Sequence, residues 1–274
     1  MKVGPYRVET FVLEHFRLDG GAMFGSVPKN LWSKRISPDE LNRIQLCCRV
    51  MLLEGEGRKI LVDVGSGNKW SEKLRAIYDI KQTFTGLLSE KFTGITDVIL
   101  SHLHFDHGGG VTQRVNDEIV LTFPDANVYL QRANYEQALN PGVREKASYL
   151  PEHVLPLKNA KLKLSDGESE ILPGIRVARV DGHTVGMQYV LIGNGQGGLV
   201  YPADLIPTAH HLSVPYVMGY DMCAATSIRE KEKFLERAVS EGWTIVFEHD
   251  ADTAAATVTK DERGDFVVRE RHAF

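Results

Sequence analysis

Residues 101–110 read Ser-His-Leu-His-Phe-Asp-His-Gly-Gly-Gly, and no other stretch constrains the chain as strongly. Neutral imidazole is the commonest transition-metal side-chain ligand, and Asp adds a hard oxygen donor. In an extended segment His102 and His104, two positions apart, point to the same side. Asp106 and His107 then turn the chain onto a second position beside the first. In a purely structural role these imidazoles would crowd together without partners, so the cluster reads as a metal site. Residues 96–100 form a short apolar run after Gly94, the pattern of a buried strand. The ligands therefore belong to the loop at the C-terminal end of a strand. The glycine triplet lets backbone pass close to a bound ion, or lets a helix start tightly.

The chain has 274 residues, 43% hydrophobic and 25% charged, which suffices for a sizeable core. The expectation is a single domain over residues 1–274. No run approaches the ~18 apolar residues of a membrane span, and the opening Met-Lys-Val-Gly-Pro-Tyr-Arg lacks the apolar centre of a signal peptide. Cytoplasm is the expected location. Three cysteines, Cys47 and Cys48 adjacent and Cys223 alone, argue against a disulfide framework and read as small hydrophobes. A net charge of −4 with no basic stretch argues against nucleic acid as a partner. The expected partner is a small-molecule substrate, with no membrane, and a homodimer is left open.

Strand and helix signals alternate along the chain. Residues 6–16 and 44–54 are strand-like, and Gly55-Glu56-Gly57-Arg58 reads as a hairpin turn into a strand at 59–64. Trp70, Leu74, Ile77 and Tyr78 share a helical face. A strand at 126–131 leads into a helix at 132–139, stopped by Asn140-Pro141-Gly142. Further strands are expected near 161–165, 175–180, 188–192, 198–201 and 243–247. Between the last two, a helix at 227–241 has Ser227 and Glu230 as a capping box, Ile228, Leu235 and Val239 as its apolar side, and Gly242 as its stop. Sheet packed on sheet with helices outside accommodates this order. Residues 17–43, rich in Gly and Pro and weakly periodic, read as a long loop covering a site.

One cluster rarely supplies every ligand. Among the ten histidines, His183 and His249 follow apolar strands, as does Asp204. Strand ends that carry ligands imply convergence on one edge of the sheets.

The order H-x-H-x-D-H, then Gly-His, then Asp, then a late His resembles the metallo-β-lactamase fold superfamily. Here these residues are His102, His104, Asp106, His107, His183, Asp204 and His249, with Asp63-Val64-Gly65 as the early D-x-G. The resemblance spans roughly residues 45–250. It implies an α/β (α+β) fold, a four-layer αβ/βα sandwich with a two-metal centre at its edge. By position, His102, His104 and His183 would hold one divalent ion. Asp106, His107 and His249 would hold the other, and Asp204 would bridge. Zinc is the first choice for these donors, with iron or manganese as alternatives. A hydroxide held between two cations exists at neutral pH, because metal binding lowers the pKa of water from 15.7 to about 7. Such a centre hydrolyses an ester, lactone or related small electrophile, with Asp106 and Asp204 as catalytic carboxylates. Asp63, Ser101 and Thr184 are candidates to orient ligating imidazoles.

The alternatives are a sulfur-dioxygenase-like oxidoreductase with one iron, and a metal-binding protein without turnover. The stretch after Asp204 is similar to lactonase-like and organophosphate-hydrolase-like members. Lactonases, however, place a Tyr three residues after the bridging Asp, where this chain has Pro207. Met23, Phe24, Tyr216, Met218, Tyr220 and Met222 are expected to line an apolar pocket. His210 and His211 are further substrate-binding candidates, of which at most one faces the site.

Overall fold

The computed structural model of the chain describes residues 1–82, 89–193 and 195–273. Two large sheets pack face to face. The first runs in the order Lys2–Val3, Tyr6–Asp19, Arg43–Gly55, Arg58–Val62, Asp97–Ile99, Asn127–Gln131 and Lys161–Ser165, with Lys81–Gln82 beside Tyr6–Asp19. Its first members are antiparallel, and from Arg58–Val62 onward neighbours are parallel. The second sheet runs from Ser169–Leu172 through Ile175–Val180, Met187–Ile192, Leu199–Tyr201, Thr244–Val246 and Ala255–Lys260 to Phe266–His272.

Period-two alternation explains why both faces of the first sheet are covered. Met51, Leu53, Ile60, Val62 and Ile99 point into the core shared with Val177, Val190 and Val200 of the second sheet. Val50, Leu52, Leu61 and Val98 point the other way, under Ala138, Tyr149, Val154 and Leu157 from the helical side. The outer face of the second sheet is closed by the helix Ala224–Ser240. Its buried residues Ser227, Lys231, Phe234, Leu235 and Ala238 follow helical spacing. The sandwich expected from the sequence is the one observed.

Most elements lie where the sequence signals them. Glu56 and Gly57, at φ 51° and 67°, make the two-residue turn between Arg43–Gly55 and Arg58–Val62. The helix Glu72–Tyr78 is capped by Ser71, and Arg132–Leu139 is a helix as expected. Two expectations need correction. Residues 17–43 are not a plain loop: the strand continues to Asp19, and short helices Gly20–Phe24 and Lys29–Trp32 follow. Met23, Phe24 and Trp32 bury themselves there against Phe16, Ile44 and Leu46, a hydrophobic plug that local periodicity does not announce. The helix expected from 227 begins at Ala224, and Ser227 lies inside it. The Glu230 carboxylate accepts from the backbone N–H groups of Asp181 and Gly182 instead of closing a capping box. Among the described residues no helix is long and apolar enough to cross a membrane.

Candidate metal centre

Strand ends from both sheets deliver the site. After Asp97–Ile99 the chain passes Ser101 and His102, and His104 occupies the N-cap position of the short helix Phe105–Gly108. This change of direction puts His102 and His104 on one side and Asp106 and His107 on the other. A Cβ at Gly109 would overlap the backbone of Ser66, so the glycine permits that close approach. Asp63 follows Arg58–Val62 with φ 54°. Its carboxylate accepts from Ser101 N at 2.7 Å and Ser101 Oγ at 2.6 Å, and lies 3.1 Å from His107 Nδ1. His183, Asp204 and His249 follow Ile175–Val180, Leu199–Tyr201 and Thr244–Val246.

The donor atoms fall into groups. Those of His102, His104, His183 and Asp204 lie within 4.8 Å of one another, as do those of Asp106, His107 and His249. Asp204 stands between the groups: Oδ2 is 3.0 Å from His183 Nε2 and 3.3 Å from His107 Nε2, and Oδ1 is 3.2 Å from His249 Nε2. Ring nitrogens face each other, His249 Nε2 and His107 Nε2 at 3.2 Å and His183 Nε2 and His104 Nδ1 at 3.1 Å. Among the described residues His102 Nε2 and Asp204 Oδ1 are buried without a hydrogen-bond partner. Convergent, unsatisfied lone pairs of N and O character fit divalent cations and are costly otherwise.

Behind the ring, four imidazoles are held through Nδ1, leaving Nε2 inward. His102 meets Ser101 Oγ at 3.0 Å, and His183 meets Asp221 Oδ1 at 3.0 Å. His107 meets Glu248 Oε2 at 2.7 Å as well as Asp63, and His249 meets the carbonyl of Cys47 at 2.8 Å. Thr184 does not contact a ligating ring by hydrogen bond; its hydroxyl pairs with Tyr149 and Glu145. Asp221 and Glu248 carry no local signature that sequence reading could use, apart from the position of Glu248 beside His249.

Electrostatics follow this packing. Burial, reinforced by neighbouring His107 and His104, holds His102 well below its ordinary value. Burial lowers His104 too, whereas at His107, His183 and His249 the neighbouring carboxylates outweigh it. Asp204 and Asp221 raise His183 to about 10, and Asp204 and Glu248 raise His249 to about 9. Burial pushes Glu248 up to about 7 against the pull of His107. Burial opposes ionisation of Asp204, yet His107, His183 and His249 hold it well below the usual carboxylate range. The centre therefore attracts cationic charge, whether protons or metal.

The sequence pattern of the metallo-beta-lactamase superfamily matches residues 48–249. The chain belongs to that superfamily. An N-acyl homoserine lactonase from a Bacillus species is 29% identical over 240 residues, covering 79% of this chain and 86% of the relative. One from Bacillus thuringiensis is 31% identical over 57% of this chain and 56% of its own length. A probable metal-dependent hydrolase from Staphylococcus aureus superposes over all of both chains with a TM-score of 0.87 at 28% identity. AidC, a dizinc quorum-quenching lactonase, shares the fold at a TM-score of 0.80 and 21% identity, over 100% of this chain and 97% of its own. The chain is a metal-dependent hydrolase of the superfamily, and these relatives do not favour the oxygenase alternative.

In this metallo-beta-lactamase superfamily member a cavity of about 310 Å³ opens onto the donor cluster. His104, Asp106, His183, Asp204 and His249 form its floor, and Leu18, Met23, Phe105 and Met218 its apolar wall. Tyr220, Tyr78 and Arg144 stand around it. Phe24, His210 and His211 are not among its lining residues. Phe24 stacks on His211 at 4.7 Å within the buried plug. The His211 ring is used up by Thr208 Oγ1 and the carbonyl of Met23. His210 lines a second, polar cavity of about 390 Å³ with Arg35, Asp250 and Asp252. Tyr216 packs under Arg35 and on Phe24, and Met222 also lies outside the lining. Pro207 is buried, and its carbonyl accepts from His249 N.

Proposed function

We propose that the chain hydrolyses a lactone or related ester of a small molecule with two divalent cations, zinc first. His102, His104 and His183 would hold one cation, Asp106, His107 and His249 the other, and Asp204 both. The observation that carries this reading is the position of Asp204, whose two oxygens lie 3.0–3.3 Å from imidazoles of both groups. When bound, such a pair of ions would supply a nucleophilic water of lowered pKa and a positive charge opposite the developing oxyanion.

The chain's own residues do the rest. Asp106 and Asp204 are the proposed catalytic carboxylates: they orient the attacking oxygen, and Asp204 accepts its proton and returns it to the leaving alkoxide. Leu18, Met23, Phe105 and Met218 exclude water and accept an apolar acyl chain. No tyrosine stands three residues after Asp204. The phenols of Tyr220 and Tyr78 and the hydroxyl of Ser148, from other segments, line the cavity as donors to a substrate carbonyl. The lactonase relatives support the lactone as substrate.

Proton release in weak buffer tests the proposal, with zinc- or manganese-loaded protein against acyl lactones, aryl esters, thioesters, phosphotriesters and β-lactams. Turnover of lactones or esters that chelation abolishes and Asp204→Asn suppresses is expected. Silence across the panel with two metals bound, or a single iron per chain, would overturn it.

A further inference from the structure

His104 is the exception in the ring of imidazoles. The other four turn Nε2 inward and anchor Nδ1, whereas His104 turns Nδ1 inward, 3.1 Å from His183 Nε2. Its Nε2 points away from the cluster, buried, with no hydrogen-bond partner among the described residues. The nearest opposite charge is Glu145, whose Oε1 lies 3.8 Å from that nitrogen and whose side chain is 3% exposed. At this separation the attraction is one of charge without a direct hydrogen bond, and burial strengthens it.

We propose that Glu145 is the positioning residue for His104: its carboxylate selects the tautomer with the proton on Nε2 and so turns the Nδ1 lone pair to the metal. This rests on the reading of His104 as a ligand given above. Neutral imidazole offers one lone pair, and the group facing the other nitrogen decides which. Glu145 is itself held rigidly. Oε2 accepts from Gln137 Nε2 at 2.6 Å, and Oε1 accepts from the hydroxyl of Thr184, the residue after His183. Thr184 meets Tyr149 OH at 2.7 Å, and Asn134, which donates to Tyr149, accepts from Leu103 N at 2.9 Å. The network thus returns to the residue before His104. The neighbouring Arg144 donates to the carbonyls of Gly219 and Asp221, and Asp221 orients His183. One dipeptide therefore steadies both His104 and the loop of His183.

Stepwise metal affinity, measured on the full chain by competition with a chromophoric chelator, tests the assignment. The cobalt-loaded absorption spectrum and the melting temperature of the metal-free protein are recorded beside it. Glu145→Ala is expected to weaken one cation ten- to hundredfold, about the effect of losing such an outer partner. Affinity for the second cation should not move, while the cobalt spectrum changes; the metal-free melting temperature falls, because Gln137 and Thr184 lose their acceptor. Glu145→Gln, which keeps an acceptor oxygen, should restore the spectrum with intermediate affinity. Parental affinity and spectrum in Glu145→Ala, while His104→Ala loses a cation, would overturn the role of Glu145 alone. Equal weakening of both cations would overturn it too, as a general structural effect. Retention of both cations by His104→Ala would sink the ligand assignment, and this proposal with it.

Discussion

Asp204 ties the two groups of donors together. Its carboxylate is buried among the imidazoles of His107, His183 and His249, and Oδ1 has no hydrogen-bond partner among the described residues. Asp204→Ala should therefore strip metal from both groups, whereas His104→Ala should weaken one and leave the fold mostly intact. Elemental analysis after gel filtration reads both outcomes. A control lies at His153, buried away from the site with its value pushed down to about 3 by burial and by Lys69. Its folded value lies below the unfolded one, so the neutral ring contributes stability above about pH 6.5 that is lost on acidification. His153→Leu should flatten the fall in melting temperature between pH 6.5 and 4 without changing metal content. The seven residues of the donor cluster were legible because they follow strand ends in a spaced motif. Glu145 and Asp221 were not: an acidic residue in an irregular segment has no periodicity to betray it, and only tertiary packing aims it.

At the scale of elements, the helix Ala224–Ser240 acts as a brace behind His183. Glu230 holds the N–H groups of Asp181 and Gly182, and a Cβ on Gly182 would overlap the backbone of Ser227. Lys231, buried in the same helix, donates to the carbonyls of His211 and Tyr216. Gly182→Ala should push helix and loop apart, costing about 1–3 kcal/mol as overpacking does. Chemical denaturation would read that loss, and metal content should fall with it. The 3.6 and 2.0 periods made the helix Arg132–Leu139 and the strand Ile175–Val180 readable to the residue. The strands Ala255–Lys260 and Phe266–His272 escaped because polar residues interrupt them and pairing with each other decides their state. The plug at 17–43 escaped for the same reason, since Phe24 is placed by Trp32 and His211 rather than by its neighbours in sequence.

Across the whole molecule, charge and metal are coupled. His107, held well above its ordinary value by Glu248 and Asp204 despite burial, His183 at about 10 and His249 at about 9 carry protons at neutral pH in the metal-free protein. Metal must displace them, so affinity should rise with pH through the neutral range and level off once all three rings are neutral. Calorimetry in buffers of different ionisation enthalpy would count the released protons; pH-independent affinity would contradict the assignment. Chelation should also lower the melting temperature, since a ligand at about a hundred times its Kd stabilises by about 2.7 kcal/mol. The convergence of strand ends has a further consequence, in time rather than space. His102 leaves the ribosome long before His249, and at about 5–20 residues per second the interval is on the order of ten seconds. The nascent first sheet holds an incomplete set of donors throughout that interval. Completion of both donor groups therefore waits for the strand Thr244–Val246 of the second sheet, late in the synthesis of the chain.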